Sequence, residues 1–235
     1  MMKLKFGKAN SKLVKLEKTL QTKVITFSLP SGFTCPGALD CLSKANRQTG
    51  KITDGAHTKF RCFHASMESL YPALRKMVWH NFELIKACGN DSKLIAQLIH
   101  SSLPTFFNVC RIHIGGDFFN QAYFNAWIAV AKNNPSKLFY AYTKSINFRV
   151  AKINDIPANL VFTASRGGKF DYMINQYGLK CAEVVFTELD ASEKGLEIDH
   201  DDSHAAVGTK SFALLIHGTQ PKGSVAAKAR SVLNK

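Results

Sequence analysis

No apolar run in this 235-residue chain approaches the ~18 residues that a membrane-spanning helix needs. The opening MMKLKFGKANSKLVKLEK lacks the apolar stretch of a secretory signal. Both absences point to a cytoplasmic protein with reduced thiols and no membrane partner. Its six cysteines are then better read as metal ligands or small buried hydrophobes than as three disulfides. The usual Cys-x2–4-Cys knuckle of structural zinc sites is missing. So are a CxxxCxxC run and any Walker or dinucleotide fingerprint. Acids are scarce, with 17 Asp and Glu against 31 Lys and Arg, a formal charge of +14.

Most of that excess sits at the ends. Residues 1–23 carry seven lysines against the single acid Glu17, and residues 221–235 carry Lys222, Lys228, Arg230 and Lys235 with no acid. We therefore expect a basic N-terminal arm (1–23), a central domain (24–220) and a basic C-terminal tail (221–235). Such ends can bind nucleic acid through counterion release, although solvated termini have the same composition. With 46% apolar residues the chain can bury one large core.

What is present in abundance is loop. Pro30 to His64 reads PSGFTCPGALDCLSKANRQTGKITDGAHTKFRCFH, with Cys35, Cys41 and Cys62 among Gly, Pro, Ser and Thr. Loops this long inside compact domains are usually functional or disordered. Phe33, Leu39, Ile52, Phe60 and Phe63 argue against disorder. A loop without a helix or sheet ladder needs a cross-link, and three thiols around a metal supply one. Pro36 and Gly37 hold a turn open around the Cys35 sulfur. Thiolates at these loose spacings suit an iron–sulfur cluster, 4Fe-4S being the expectation, with a non-cysteine ligand or an exchangeable position on one iron.

The flanking pattern predicts a strand at Lys23–Leu29, a helix opened by Ser66, a second from Ala73 to Ala87 and a third over Ser92–Ser101. From residue 107 short apolar strands recur: Phe107–Ile114, Lys137–Tyr142, Asn159–Ala164, Glu183–Thr187 and Ser211–Ile216. Several are separated by helices, one capped by Asn120. This is the pattern of a parallel sheet covered on both sides. The fold class expected is α/β, a parallel-strand, partial TIM-barrel-like single domain with a long N-terminal cysteine loop.

Polar residues gather where these strands end, the rim on which α/β proteins build their sites. Asp117, Lys144, Ser165 and Arg166 are the candidates for cofactor binding. Cys35, Cys41 and Cys62 are the candidate metal ligands, with His217 as the fourth because it ends the last strand and would face the cysteine loop across a barrel closure. His113 shares an extended-strand face with Arg111 and Asp117 and suits hydrogen bonding rather than ligation. Asp199-His200-Asp201-Asp202-Ser203-His204 reads as a solvated acidic loop, and Cys88, Cys110 and Cys181 as inert buried thiols.

Taken together, TCPGALDC, TGKITDG, FRCFHAS, RIHIGGDFF, FYAYTKS, TASRGG, EIDHDDSHA and LLIHGTQPKGS resemble the bacteriophage domain family called gene product eighty-eight, over residues 24–228. The resemblance implies a phage-encoded protein of marine or cyanobacterial type, acting in the host cytoplasm with a redox partner or other host protein. A more distant likeness is to radical S-adenosylmethionine enzymes, which implies S-adenosylmethionine as a cofactor; the CxxxCxxC spacing of those enzymes is absent here. The expectation is an iron–sulfur redox or electron-transfer protein, the alternatives being a basic nucleic-acid- or host-factor-binding protein with a structural metal, or a radical enzyme.

Overall fold

The computed structural model describes residues 2–233, so Lys235 of the basic tail lies outside the described residues. In chain order the first half comprises β1 (Gly7–Lys8), α1 (Ser11–Leu20), β2 (Val24–Thr26), β3 (Ser43–Ala45), β4 (Ile52–Asp54), α2 (Phe63–Leu70), α3 (Pro72–Ala87) and α4 (Ser92–Ser102). The second half comprises β5 (Val109–Ile112), α5 (Gln121–Lys132), β6 (Leu138–Thr143), α6 (Ile146–Val150), β7 (Leu160–Ser165), α7 (Asp171–Gln176), β8 (Cys181–Val185), α8 (Glu188–Glu193), α9 (Ser203–Ala206), β9 (Phe212–Leu215) and α10 (Val225–Leu233).

Seven strands form one open sheet in the order β1-β2-β5-β6-β7-β8-β9. From β2 to β9 every neighbour is parallel, and β1 alone is antiparallel, on the edge. Alternation along the short strands sorts the side chains. Ile25, Cys110, Ile112, Phe139, Ala141 and Phe162 face the large core under α3, α4 and α5. Val24, Val109, Tyr140, Ala182 and Phe212 face the opposite side, where α1 and α9 lie. Helix starts follow local chemistry: Asn10, Asp91 and Asn120 accept backbone N–H groups at the heads of α1, α4 and α5. Pro72 occupies the first turn of α3, where its missing N–H costs nothing, so the chain bends there instead of running on from α2. Ser66 lies inside α2, which opens three residues earlier at Phe63.

Two expectations change. The cysteine loop is not free of ladder structure: β3 and β4 pair inside it as a hairpin, Ser43 opposite Asp54 and Ala45 opposite Ile52. The described part of the basic arm, residues 2–23, is packed into the domain rather than standing off it. β1 pairs with β2, and Leu13 and Leu16 are fully buried. The Leu13–Leu16 spacing puts both on one helix face, and covering the sheet is worth roughly 1.5–3 kcal/mol for each. Lys15 and Lys18 of α1 remain outside, while Lys12 turns inward.

Candidate metal centre

The cysteine loop leaves β2 at the carboxyl end of the sheet and is seated on the ends of later strands. Ala38 forms a bridge with Gly168, and the N–H groups of Leu39 and Asp40 donate to the Gly167 carbonyl at 3.3 and 3.0 Å. Lys169 N–H returns a bond to Gly37 O at 2.9 Å. A side chain on Gly37 would land on the Lys144 carbonyl, so only glycine lets the turn after Cys35 lie this close to β6. Close approach to Lys144, rather than room around the sulfur alone, is the reason for the Cys-Pro-Gly sequence.

Cys35, Cys41 and Cys62 converge there. Burial pushes all three thiols up, Cys41 to about 11. Cys35 and Cys41 also feel one another's neighbour Cys62 and the Asp117 carboxylate, which raise them further, while the Lys144 ammonium pulls Cys41 down. Cys35 Sγ accepts the Gly32 N–H at 3.3 Å. Cys62 sits at the head of α2, where the N–H groups of Ala65 and His64 and the Ser31 hydroxyl favour its thiolate. Cys110 and Cys181 are buried elsewhere in the sheet, and Cys88 ends α3. Among the described residues no three His, Cys, Asp or Glu side chains form a group that could hold a metal ion.

Beneath the thiols lies a polar cradle. Asp117 accepts hydrogen bonds from Thr143 Oγ1 (2.6 Å) and from the N–H groups of Phe118 (2.7 Å), Lys144 (2.8 Å) and Ser145 (3.2 Å). Burial nevertheless pushes its carboxyl up to about 6. Lys144 Nζ donates to Ser165 Oγ (2.9 Å), Ser165 O (3.2 Å) and Arg166 O. Asp117, Lys144 and Ser165 thus come together at the ends of β5, β6 and β7. The Arg166 guanidinium turns away to Asn175 Oδ1 at 2.9 Å and lines a separate 410 Å³ pocket with Asp40 and Glu183.

His217 follows β9 and packs its ring on Phe63 with centroids 4.6 Å apart. Gln220 ties this turn to the loop before α2, accepting from Arg61 N–H (2.8 Å) and donating to Arg61 O (3.2 Å). His217 and Cys62 share the wall of a pocket of about 550 Å³ on the α1 face of the sheet. Desolvation, then the charges of Lys12 and Arg111, push His217 down to about 4, so its imidazole is neutral at physiological pH.

Several functional side chains are not where linear reasoning puts them. His113 adopts φ +66, which breaks strand alternation and turns it from the Arg111 face into the core, against Phe118 and with Tyr123 Oη 2.9 Å from Nε2. The expected solvated acidic loop is half buried: Asp199 and Asp202 are 4% and 1% exposed. Burial alone would raise Asp202, but Arg111 and Lys12 hold it below the usual carboxylate range. Tyr140 and Tyr142 donate to Asp202 at 3.0 and 3.1 Å. Strand alternation does place Arg111, Tyr140 and Tyr142 on one face; nothing in the sequence joins that face to residues 199–202. Sequence reasoning also missed Glu68, buried one turn after His64, which accepts from Ser31 N–H at 2.8 Å and lies 3.0 Å from His64 Nδ1. Gly115 leaves the space that the His64 ring fills.

Among the described residues no helix is long and apolar enough to cross a membrane. The chain is similar to the Gene 88 protein of Mycobacterium phage L5, 28% identical over 131 residues, covering 51% of this chain and 47% of that protein. It is similar also to the Gene 88 protein of Mycobacterium phage D29, 27% identical over 130 residues with the same coverage. The aligned part is about half the length of each of these curated relatives. No solved structure matches. The Gene product 88 family matches residues 2–235, and the chain belongs to that phage family.

Proposed function

We propose that this is a phage-encoded iron–sulfur protein acting in redox or electron transfer, its cluster held by Cys35, Cys41 and Cys62. The observation that supports the reading is the approach of three half-buried thiols to one another at the carboxyl ends of parallel strands, near enough for Cys62 to raise Cys35 and Cys41, while the other three cysteines lie apart. The donor chemistry suits the group, since soft thiolates select iron–sulfur clusters and zinc over hard cations, and the three thiols would have to draw closer together to hold one. A bound cluster supplies a site for one electron at a time. The chain's own contribution is to tune that electron. The N–H groups at Cys35 and Cys62 and the Lys144 ammonium stabilise added negative charge, and Asp117 opposes it. Neutral His217 is the protein's candidate for the remaining position, the alternative being an exchangeable small molecule.

The strand order supports the finer reading of the fold as a partial barrel. Each parallel strand from β2 to β9 is added on the same side of the one before it, the order a barrel also uses, while α1 and α9 cover part of the second face. The 550 Å³ pocket lies on that second face.

Anaerobic purification with iron and sulfide analysis tests the proposal. Cys35→Ser, Cys41→Ser and Cys62→Ser each lose or shift the visible chromophore, while the same exchange at Cys88, Cys110 or Cys181 spares it. His217→Ala shifts the electron paramagnetic resonance spectrum and the potential if His217 ligates. A colourless protein containing zinc, or equal iron in all six serine variants, overturns the reading.

A further inference from the structure

The outer side of the cysteine loop carries a second surface that the cluster does not use. Phe33 of the loop meets Trp79 of α3 edge to face at 4.9 Å, Trp79 meets Phe82 at 5.9 Å, and Phe82 meets Phe119 at 5.2 Å. Each of the first three rings has a cation beside it: Lys44 at 5.2 Å from Phe33, Arg47 at 5.0 Å from Trp79 and Lys86 at 5.6 Å from Phe82. Phe33 is 41% exposed, unusual for a phenylalanine flanked by a buried site. A groove of about 410 Å³ runs along Trp79 between Arg47 and Lys76.

The charge on this face is mostly positive. Lys3 and Lys5 lie along it because the backbone around them is bonded to His80 and Asn81. Lys44, Arg47, Lys76 and Lys86 are exposed as well, and the one acid of α3 is Glu83, which pairs with Arg47. The face is also rigid. The buried Arg75 guanidinium donates to the carbonyls of Arg47 (3.0 Å), Ser69 (3.3 Å) and Glu68, fixing the β3–β4 turn to the junction of α2 and α3.

We propose that this face binds single-stranded nucleic acid, bases stacking on Phe33 and Trp79 and phosphates lying along Lys44, Arg47, Lys76 and Lys86. A row of cations alone would suit any polyanion. Cations interleaved with rings suit a polyanion that also carries flat, unpaired bases, and the cation over each ring marks the face a base would take as that side chain swings out to a phosphate. Duplex bases are stacked on each other and offer no face to Phe33. The site belongs to the folded domain, so it differs from binding by the basic ends.

The test uses the full-length chain and a fluorescein-labelled 20-nucleotide oligo(dT), with anisotropy followed over a range of salt. Affinity falls linearly on a log–log plot as salt rises, and Lys44→Glu combined with Lys76→Glu weakens binding at least tenfold and flattens that slope. Phe33→Ala weakens binding about tenfold with the slope unchanged, the signature of lost stacking. Binding quenches the emission of Trp79, identified by its loss in Trp79→Phe, while Trp127 in the core does not respond. Three results overturn the proposal: no binding at low salt, a hairpin duplex or polyglutamate bound as tightly as oligo(dT), or variants of this face that bind like the unaltered chain.

Discussion

Asp117 is asked to be two things at once, a buried carboxyl and the acceptor for four donors. Its pKa of about 6 means that the native fold binds more protons than the unfolded chain between that value and an ordinary carboxyl at ~3.9. By linkage, the stability it contributes is complete below about pH 4 and is lost as the pH rises through 6, a change on the order of 2–3 kcal/mol. Denaturant melts at pH 4 and pH 7 should show this limb, and Asp117→Asn should flatten it. A difference between the two proteins that stays constant across that range contradicts the assignment. Residues of this kind were half legible. Asp117, Lys144 and Ser165 could be placed together because each ends a strand and parallel strands end on one rim. The pairing of Glu68 with His64 and Ser31 was not legible, since an acid in a helix reads as solvated until its depth is known. His113 hydrogen-bonds, to Tyr123, as expected, but not from the Arg111 face, because period-two alternation presumes extended φ throughout and His113 has φ +66.

Helix α1 shows the same division between pattern and place. Leu13, Leu16 and Leu20 stand at helical spacing, which the helix over Ser11–Leu20 uses, but the seven-lysine context suggests a free arm. Lys15 and Lys18 describe only the outward face. Leu13 and Leu16 close the face of the sheet formed by Val24, Val109 and Tyr140, and Lys12 reaches Asp202 at 2.6 Å. Leu13→Ala should therefore cost about 2–5 kcal/mol, as for buried leucines generally, and lower the melting temperature accordingly. An exchange that leaves the melting temperature unmoved would return α1 to the status of a loose arm. The hairpin β3–β4 was missed for the opposite reason. Its strands are three residues each, too short for alternation to register, and the tight turn depends on Asn46 Oδ1 accepting from Gln48 and Thr49.

At the scale of the whole molecule, the sheet was legible as a series of strands that all run one way, because each apolar run ends in a polar turn and is followed by helix. Its monotonic order was not, since nothing local states which strand lies beside which. That order has a temporal meaning. The three cysteines are synthesised early, whereas the parts that seat them come much later: Thr34 Oγ1 accepts from Asp117, 83 residues on, and Arg61 bonds Gln220, 159 residues on. Contacts of such long separation form late, after the loops between them have closed. A chain stopped at residue 150 should leave Cys35, Cys41 and Cys62 open to alkylation, and the finished chain should protect them; equal labelling of the two would mean the loop holds its shape alone. The ribosome thus exposes three bare thiols for as long as it takes to make the rest of the protein, and under the proposed function any metal delivered before the last strand arrives would meet a tether rather than a site.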